Sequence, residues 1–365
     1  MKTSDFDYNL PTELIAQTPV EPRDSSRLMV VDKDTHQMKE EKFFDIINFL
    51  QEGDLLVWNN SKVFKARLRG TLMLDETTSD TKIPANATDK ILNSATVEIF
   101  LVRPMENPGV WKALAKPGRK LRLGIKIIFA ADFAAEVISK ENDGIFLLQF
   151  NEDDMQVRAK ANQYGEVPTP PYIKAEQMAN LDKRYQTVYA KHEGSVAAPT
   201  AGFHFTPELI EKLEQKGVQF AEVTLHVGLG TFLPVKTDIV EDHKMHSEWI
   251  ELSDKNAHLI NNAKADGRRV IAVGTTTVRT LEGLALKFGK AELEPYQGDI
   301  NIFITPGFKF KIIDALITNF HLPQSTLLML VSAFVKDREF TLKCYEEAVK
   351  EKYRFFSFGD AMLIK

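Results

Sequence analysis

At 365 residues, with 44% hydrophobic and 27% charged residues, the chain is long enough for two domains and too apolar to be a disordered one. A formal charge of −5 excludes a polycation of the histone kind, so any nucleic-acid contact must be local. The single cysteine, Cys344, excludes an intrachain disulfide and a cysteine-rich zinc site, and fits a reducing compartment.

Met1 to Asp7 is polar and carries Asp5 and Asp7, unlike a signal peptide, so a cytoplasmic location is expected. The longest apolar run, Leu327 to Val335, falls well short of the roughly 20 residues that span a bilayer and reads as a buried helix. In chain order, Leu28 to Val31 is a short apolar run, Phe43 to Leu50 has helical spacing, and Asp54 to Trp58 is a strand apolar on both faces. From Arg67 the texture changes to six short β-rich runs: Ala66 to Leu74, Ala95 to Val102, Val110 to Ala115, Lys126 to Phe129, Ala134 to Ser139 and Ile145 to Phe150. Such spacing predicts a small antiparallel barrel over 67–150, inserted into an α/β domain formed by 1–66 and 151–365. Within it, Asp75 to Ser94 is a polar stretch with loop composition.

Beyond Asn151 helices return. Thr206 and Pro207 open a helix that stops at Gly217; Val218 to Val227 is a strand; a helix from Ser253 stops at Gly267; Val270 to Val273 is a strand followed by a helix opened at Thr275 to Thr277. Two strand and helix alternations predict an α/β fold with a mixed or mostly parallel sheet.

Several segments could carry chemistry. Ser195 to Phe205 packs small residues, Thr200 and Gly202 among them, ahead of His204; a ligand loop and a tight packing loop are equally good readings. Thr224 to Phe232 ends a strand with His226, Gly228, Gly230 and Thr231, at the edge where α/β sheets bind ligands, but the third glycine of a dinucleotide fingerprint is missing. Gly274, Thr275, Thr276 and Arg279 lie between a strand and a helix, where backbone N–H groups and a guanidinium suit a carboxylate or phosphate; helix capping explains the threonines but not Arg279. His321, in Thr318 to Pro323, sits between a strand and a helix, and a buried structural histidine is its plainer reading. His243 and His246 beside Glu241, Asp242 and Glu248 suggest a metal hydrolase, with spacing unlike a zinc-protease motif. Basic residues cluster at Lys62, Lys65, Arg67 and Arg69, and again from Lys112 to Lys126 after Trp111, as in an RNA-backbone contact or a solvated face.

Taken together these segments resemble the S-adenosylmethionine:tRNA ribosyltransferase-isomerase family of queuosine biosynthesis. The likeness runs through Glu21 to Arg27, Gly53 to Val57, Ala66 to Leu68, Pro170 to Ile173, Arg184 to Tyr189, Ala197 to Gly202, Thr224 to Phe232, Glu241 to Glu248, Gly274 to Arg279, Thr318 to Phe334, Tyr353 to Ser357 and Gly359 to Met362. It implies transfer and isomerisation of the ribosyl part of S-adenosylmethionine onto 7-aminomethyl-7-deazaguanine at the tRNA wobble position, giving epoxyqueuosine, adenine and methionine. S-adenosylmethionine would be a co-substrate, with no recycled cofactor, no metal, tRNA as partner and no membrane. Separately from the resemblance, a monomer is expected. His204, His226 and His321 are then candidate proton carriers; Thr200, Gly202, Gly228, Gly230, Thr231, Gly274, Thr275, Thr276 and Arg279 candidate substrate contacts; and Lys62, Arg67 and Arg69 candidate tRNA contacts. Ser61 and Lys62 stand where the family has Thr-Arg, and Phe203 replaces a leucine. A non-enzymatic RNA-binding protein and a metal hydrolase are the rival readings.

Overall fold

The apolar run after Arg27 forms β1 (Arg27–Asp32), which pairs antiparallel with β2 (Gln37–Lys42). The computed structural model describes residues 1–73, 96–141, 144–169, 172–173, 180–228, 237–245 and 247–365; the polar stretch 75–94, Gly230, Thr231 and His246 lie outside them. The helical spacing read over Phe43 to Leu50 corresponds to a 3-10 helix, Phe43–Asn48. Phe43 and Ile46, three apart, are buried there, and the Asp45 carboxylate accepts the Lys42 N–H at 3.2 Å. That spacing suits the tighter helix.

The chain divides into two compact units. One comprises Met1–Lys62, Pro170–Glu193 and Ala197–Lys365; the other comprises Val63–Thr169 and Gly194–Val196. In the first, β3 (Leu55–Asn59) has all five residues buried. Leu55 and Val57 enter one hydrophobic core, while Leu56 and Trp58 enter the other. This period-two division between two covered faces is what an unbroken apolar strand predicts. β4 (Ser61–Val63) follows.

The second unit contains a closed antiparallel barrel of β5 (Arg67–Met73), β6 (Thr96–Pro104), β7 (Val110–Lys116), β8 (Lys126–Ala130), β9 (Phe133–Lys140) and β10 (Ile145–Phe150). All six expected strands are present within two residues of their expected bounds. The strands stop at Phe150, but the unit continues to Thr169 because α1 (Asp154–Tyr164) packs on the barrel. Trp111 Nε1 donates to Asp154 at 3.0 Å, and Val157 and Ala161 are buried.

In the first unit follow α2 (Leu181–Arg184), α3 (Pro207–Gln215), β12 (Gln219–His226), β13 (Glu248–Leu252), α4 (Asp254–Ala265), β14 (Val270–Val273), α5 (Thr275–Phe288), β15 (Tyr296–Ile300), β16 (Ala315–Asn319), α6 (Thr326–Val335), α7 (Arg338–Lys350) and β17 (Ala361–Ile364). The label β11 denotes His192–Ser195. The sheet order is β15-β13-β12-β3-β14-β16-β17-β1-β2. The pairs β12 with β3, β3 with β14, β14 with β16 and β1 with β17 are parallel, whereas β16 with β17 and β12 with β13 are antiparallel. The sheet is therefore mixed, its parallel centre built by the predicted strand and helix alternation.

Helix starts match their sequence signals. Thr206 caps α3 with Pro207 at its first position, and Ser253 caps α4. Ser325 caps α6, which is the apolar run expected to be buried. No helix among the described residues is long and apolar enough to cross a membrane. Inside α5, the buried Glu282 carboxylate accepts the N–H groups of Lys311, Ile312 and Ile313 at 2.9, 3.0 and 3.1 Å. Burial raises its pKa while those N–H groups pull the other way. Glu282→Ala should destabilise the fold by about 3 kcal/mol by orphaning buried donors, measured by urea unfolding; a loss under about 1 kcal/mol would show that water replaces the carboxylate.

Candidate active site

Strands β14 and β16 run parallel and end at the same edge of the sheet, at Val273 and at Asn319. Gly274 turns the chain into α5 with φ +85°, a conformation that side chains rarely adopt. A cavity of about 390 Å³ opens at this edge. Its walls come from Ala197–Ala201, from Gly274, Thr275, Thr276 and Arg279, from Thr318–Leu327, and from Tyr172, Tyr185, Val227, Phe356 and Ser357. All these residues belong to the first unit. The carboxyl edge of parallel strands is where α/β sheets bind ligands.

The segments converge on Asn319. Its Oδ1 accepts the Thr200 hydroxyl at 3.3 Å, and its Nδ2 donates to the Phe356 carbonyl at 3.1 Å and to His204 Nε2 at 3.2 Å. With the amide oriented by the Phe356 carbonyl, His204 Nε2 is the acceptor. The proton then sits on Nδ1, which donates to Ser26 Oγ at 2.8 Å. Both ring nitrogens are thus occupied. Burial, reinforced by the charges of Arg23 and Arg354, pushes the His204 pKa down to about 3.

His321 lines the cavity. Its Nε2 meets Thr318 Oγ1 at 2.9 Å, and its carbonyl accepts the Tyr8 hydroxyl at 2.5 Å. Burial alone brings its pKa down to about 3. His226, at the end of β12, stacks on Trp249 with ring centroids 4.9 Å apart; its neighbour Val227 reaches the cavity, while His226 is absent from the lining. The structure therefore brings one of the three candidate histidines to the cavity wall and puts a second behind it.

Among the candidate substrate contacts, Thr200, Gly274, Thr275, Thr276 and Arg279 line the cavity. Gly202 lies outside the lining and serves packing: a Cβ there would come within 1.9 Å of the Tyr189 hydroxyl and 2.8 Å of Thr187. Gly228 also lies outside the lining, its N–H pointing to Glu248 at 3.4 Å. Arg279 is not an unengaged fork. One terminal nitrogen binds the Glu248 carboxylate in an ion pair whose two side chains are buried. Its Nε has no partner among the described residues, and neither does the Thr276 hydroxyl. Thr277 donates to the Val273 carbonyl at 2.7 Å, a bond internal to the helix start.

Two helices begin at this cavity, α5 at Thr275 and α6 at Thr326. Their aligned peptide dipoles make it favourable for an anionic group. Sequence reasoning missed Asn319, Ser26, Tyr172 and Ser357, and named Glu248 only within the metal reading, although each stands inside a segment that carries the resemblance. Tyr172 and Ser357 share a hydrogen bond of 2.6 Å at the cavity wall.

The basic residues are differently disposed. Lys62 and Arg69 are exposed. Arg67 binds Glu98 at 2.8 Å, and Arg69 lies 3.6 Å from Glu166. Lys112 sits 3.3 Å from Glu141. His243 packs edge-on to Phe303, and no group of three histidine, cysteine, aspartate or glutamate side chains among the described residues could hold a metal ion.

A family described as "Queuosine biosynthesis protein" matches residues 3–364, which defines the class: the chain belongs to that family of enzymes. The relatives it resembles narrow the class further. Proteins named S-adenosylmethionine:tRNA ribosyltransferase-isomerase from Thermotoga petrophila and Clostridioides difficile are 51% and 48% identical over 365 and 368 residues, covering the whole of both chains in each comparison. The crystal structure of S-adenosylmethionine tRNA ribosyltransferase from Thermotoga maritima is similar at 40% identity and a TM-score of 0.55, covering 99% of this chain and 100% of that one. The chain is thus a member of the ribosyltransferase-isomerase family, a group of transferases, and the resemblance read from its motifs holds over its full length.

The two low histidine pKa values fix a pH dependence. A pKa depressed from 6.5 to about 3 means that the unfolded chain binds protons first as pH falls. Stability is complete above about pH 6.5 and is lost progressively toward pH 3. His204→Gln should start less stable by about 1–3 kcal/mol yet lose less between pH 6.5 and 4.5 than the unsubstituted protein, as read from urea midpoints. Equal pH slopes in the two proteins would refute a buried neutral His204.

Proposed function

We propose that the chain transfers and isomerises the ribosyl part of S-adenosylmethionine onto 7-aminomethyl-7-deazaguanine in the anticodon of tRNA, giving epoxyqueuosine and releasing adenine and methionine. The observation that carries this reading is the cavity at the β14 and β16 edge. Three of its walls are Ala197–Ala201, Gly274–Arg279 and Thr318–Leu327, the segments that mark the family in the sequence. S-adenosylmethionine is the co-substrate and no recycled cofactor enters the scheme. A cytoplasmic location fits a chain with one cysteine, and that one buried.

In this scheme the methionine carboxylate lies at the start of α5, against Thr275 and Thr276, with Arg279 behind it. The Glu248 contact holds the guanidinium in place, so the pair adds little net charge and the helix termini supply most of the attraction. The sulfonium acidifies the 5′ carbon of the ribose. His321, at the wall, takes that proton in its neutral form. The proton is then delivered to the departing adenine. The aminomethyl nitrogen then adds to the ribosyl fragment and its proton returns to the carbon framework, and a hydroxyl oxygen, giving its proton to solvent, closes the epoxide as methionine leaves with the carbon–sulfur electron pair. His204 acts through Asn319 as a positioning residue. His226 would contribute least, since it lies outside the lining.

Lys62, Arg67 and Arg69 are assigned to tRNA phosphates. Glu166, beside both arginines, is exposed and can be exchanged for phosphate at small cost, whereas Glu98, the nearer partner of Arg67, is half-buried.

Incubation with S-adenosylmethionine and tRNA carrying the deazaguanine precursor should release adenine only when that tRNA is present; no release would return the question to a pure RNA-binding role. His321→Ala should lower turnover by about 10²-fold or more, with the smallest effect from His226→Ala, while circular dichroism stays unchanged. Full activity of His321→Ala would remove it as the proton carrier. Arg67→Glu with Arg69→Glu should weaken tRNA binding and flatten its log–log salt dependence by about 2; an unaltered slope would sink the phosphate assignment.

A further inference from the structure

A second cavity, of about 580 Å³, lies in the first unit at the opposite end of β16. Asp314, immediately before the strand, lines it, whereas Asn319 at the other end lines the first cavity. The two are separated by about 15 Å of strand. Four cationic side chains surround this second cavity: Lys33, Lys309, Lys336 and Arg338. Their concentration in one concavity departs from the overall charge of −5.

The nearby carboxylates are largely committed elsewhere. Asp314 binds Lys264 at 2.9 Å and accepts the Val270 N–H at 2.8 Å. Asp32 binds Lys365 at 2.9 Å. Asp337 caps α7 by accepting the Phe340 N–H at 2.8 Å. Arg338 has only a distant partner, Asp5 at 3.7 Å. Lys309 and Lys336 have no carboxylate within ion-pair distance among the described residues. Lys33 is half-buried, with its amino group 5.3 Å from the centre of the Phe334 ring and 3.5 Å from the Asp314 carbonyl. Burial lowers its pKa; the charge of Lys336 pushes the same way, against the pull of Asp34. Two like charges held in one recess repel each other, and an anion between them removes that repulsion.

The remaining wall is apolar. Phe308 and Phe310 line the cavity beside Phe334. At Gly307, whose φ of +98° favours glycine, an added Cβ would meet nothing within 4 Å. The wall there is open enough for a flat group to lie against it.

We propose that this recess binds a nucleotide, its phosphate between Lys33, Lys336 and Arg338 and its base or sugar against Phe308. Cationic groups interleaved with aromatic rings are the chemistry of nucleotide and RNA-backbone recognition. Two sources share that chemistry, a free mononucleotide and a nucleotide within an RNA strand. The proposal stands apart from the catalytic reading, since no residue of the first cavity takes part.

The test measures binding of AMP by calorimetry and of an unmodified RNA hairpin by fluorescence anisotropy, each from low to moderate salt. Three proteins are compared: the unsubstituted chain, Lys33→Gln with Lys336→Gln, and a control with the same charge change, Lys255→Gln with Lys287→Gln. Loss of AMP affinity by tenfold or more in the first variant alone identifies a free nucleotide. If AMP does not bind, a tenfold loss for the hairpin, with a log–log salt slope flatter by about 2 than the control, identifies an RNA nucleotide. Equal affinities for both probes in the variant and the control would overturn the proposal. Thermal melting of each protein confirms that the fold is kept, and Arg338→Gln provides a second variant if the lysine pair fails to fold. Adenine release assayed in parallel keeps failure of this site distinct from failure of the catalytic reading.

Discussion

The side-chain amide of Asn319 ties together three stretches of chain that are far apart in sequence. Its oxygen accepts from Thr200, and its nitrogen donates to the Phe356 carbonyl and to His204, which in turn holds Ser26. An amide offers two donors and an acceptor oxygen in one rigid plane. Aspartate would lack the two donors, and leucine would leave buried groups without partners, a cost of about 1–3 kcal/mol for each one orphaned. The site geometry depends on this hub because side-chain bonds join the Thr200–His204 turn to the end of β16. Backbone bonds already tie other walls together, from the Gly274 N–H to the Ile317 carbonyl at 2.8 Å and from the Phe356 N–H to the Phe320 carbonyl at 3.1 Å.

That dependence changes the meaning of His204. A histidine ahead of a helix, among small residues, invites a reading as an acid or base. With both nitrogens engaged, it takes a positioning role in the proposed scheme. His321 shares the low pKa but stands at the wall. The two residues illustrate why a motif can locate a site without dividing labour within it.

Much of the fold was legible in the sequence because it follows from local signals. The unbroken apolar run at β3 belongs to a strand facing two cores, and six β-rich runs gave six barrel strands. Thr206 with Pro207, and Ser253, cap helices where their spacing says they should. At Phe43–Asn48 the helical spacing left the helix type open: apolar residues three apart fit a 3-10 turn as well as an α-helix, and periodicity over six residues does not separate them. Within the site, Thr200, Thr276 and His321 were found because small or hydroxyl residues cluster at strand ends. Asn319, Ser26 and Glu248 were not, since their importance lies in partners more than 30 residues away in the chain or more, and no spacing rule encodes such pairing. Arg279 lines the cavity, but its ion pair with Glu248 was invisible from the chain alone.

The two helix starts at the cavity carry a consequence for how the site can change. Their attraction for an anion comes from peptide groups, which every residue possesses. It therefore survives most side-chain replacements along the first turns of α5 and α6, and it has no titration of its own. A carboxylate held there feels the same pull in mild acid as in mild base, so acidity can alter what the chemistry does to a bound molecule far more readily than whether the molecule is held.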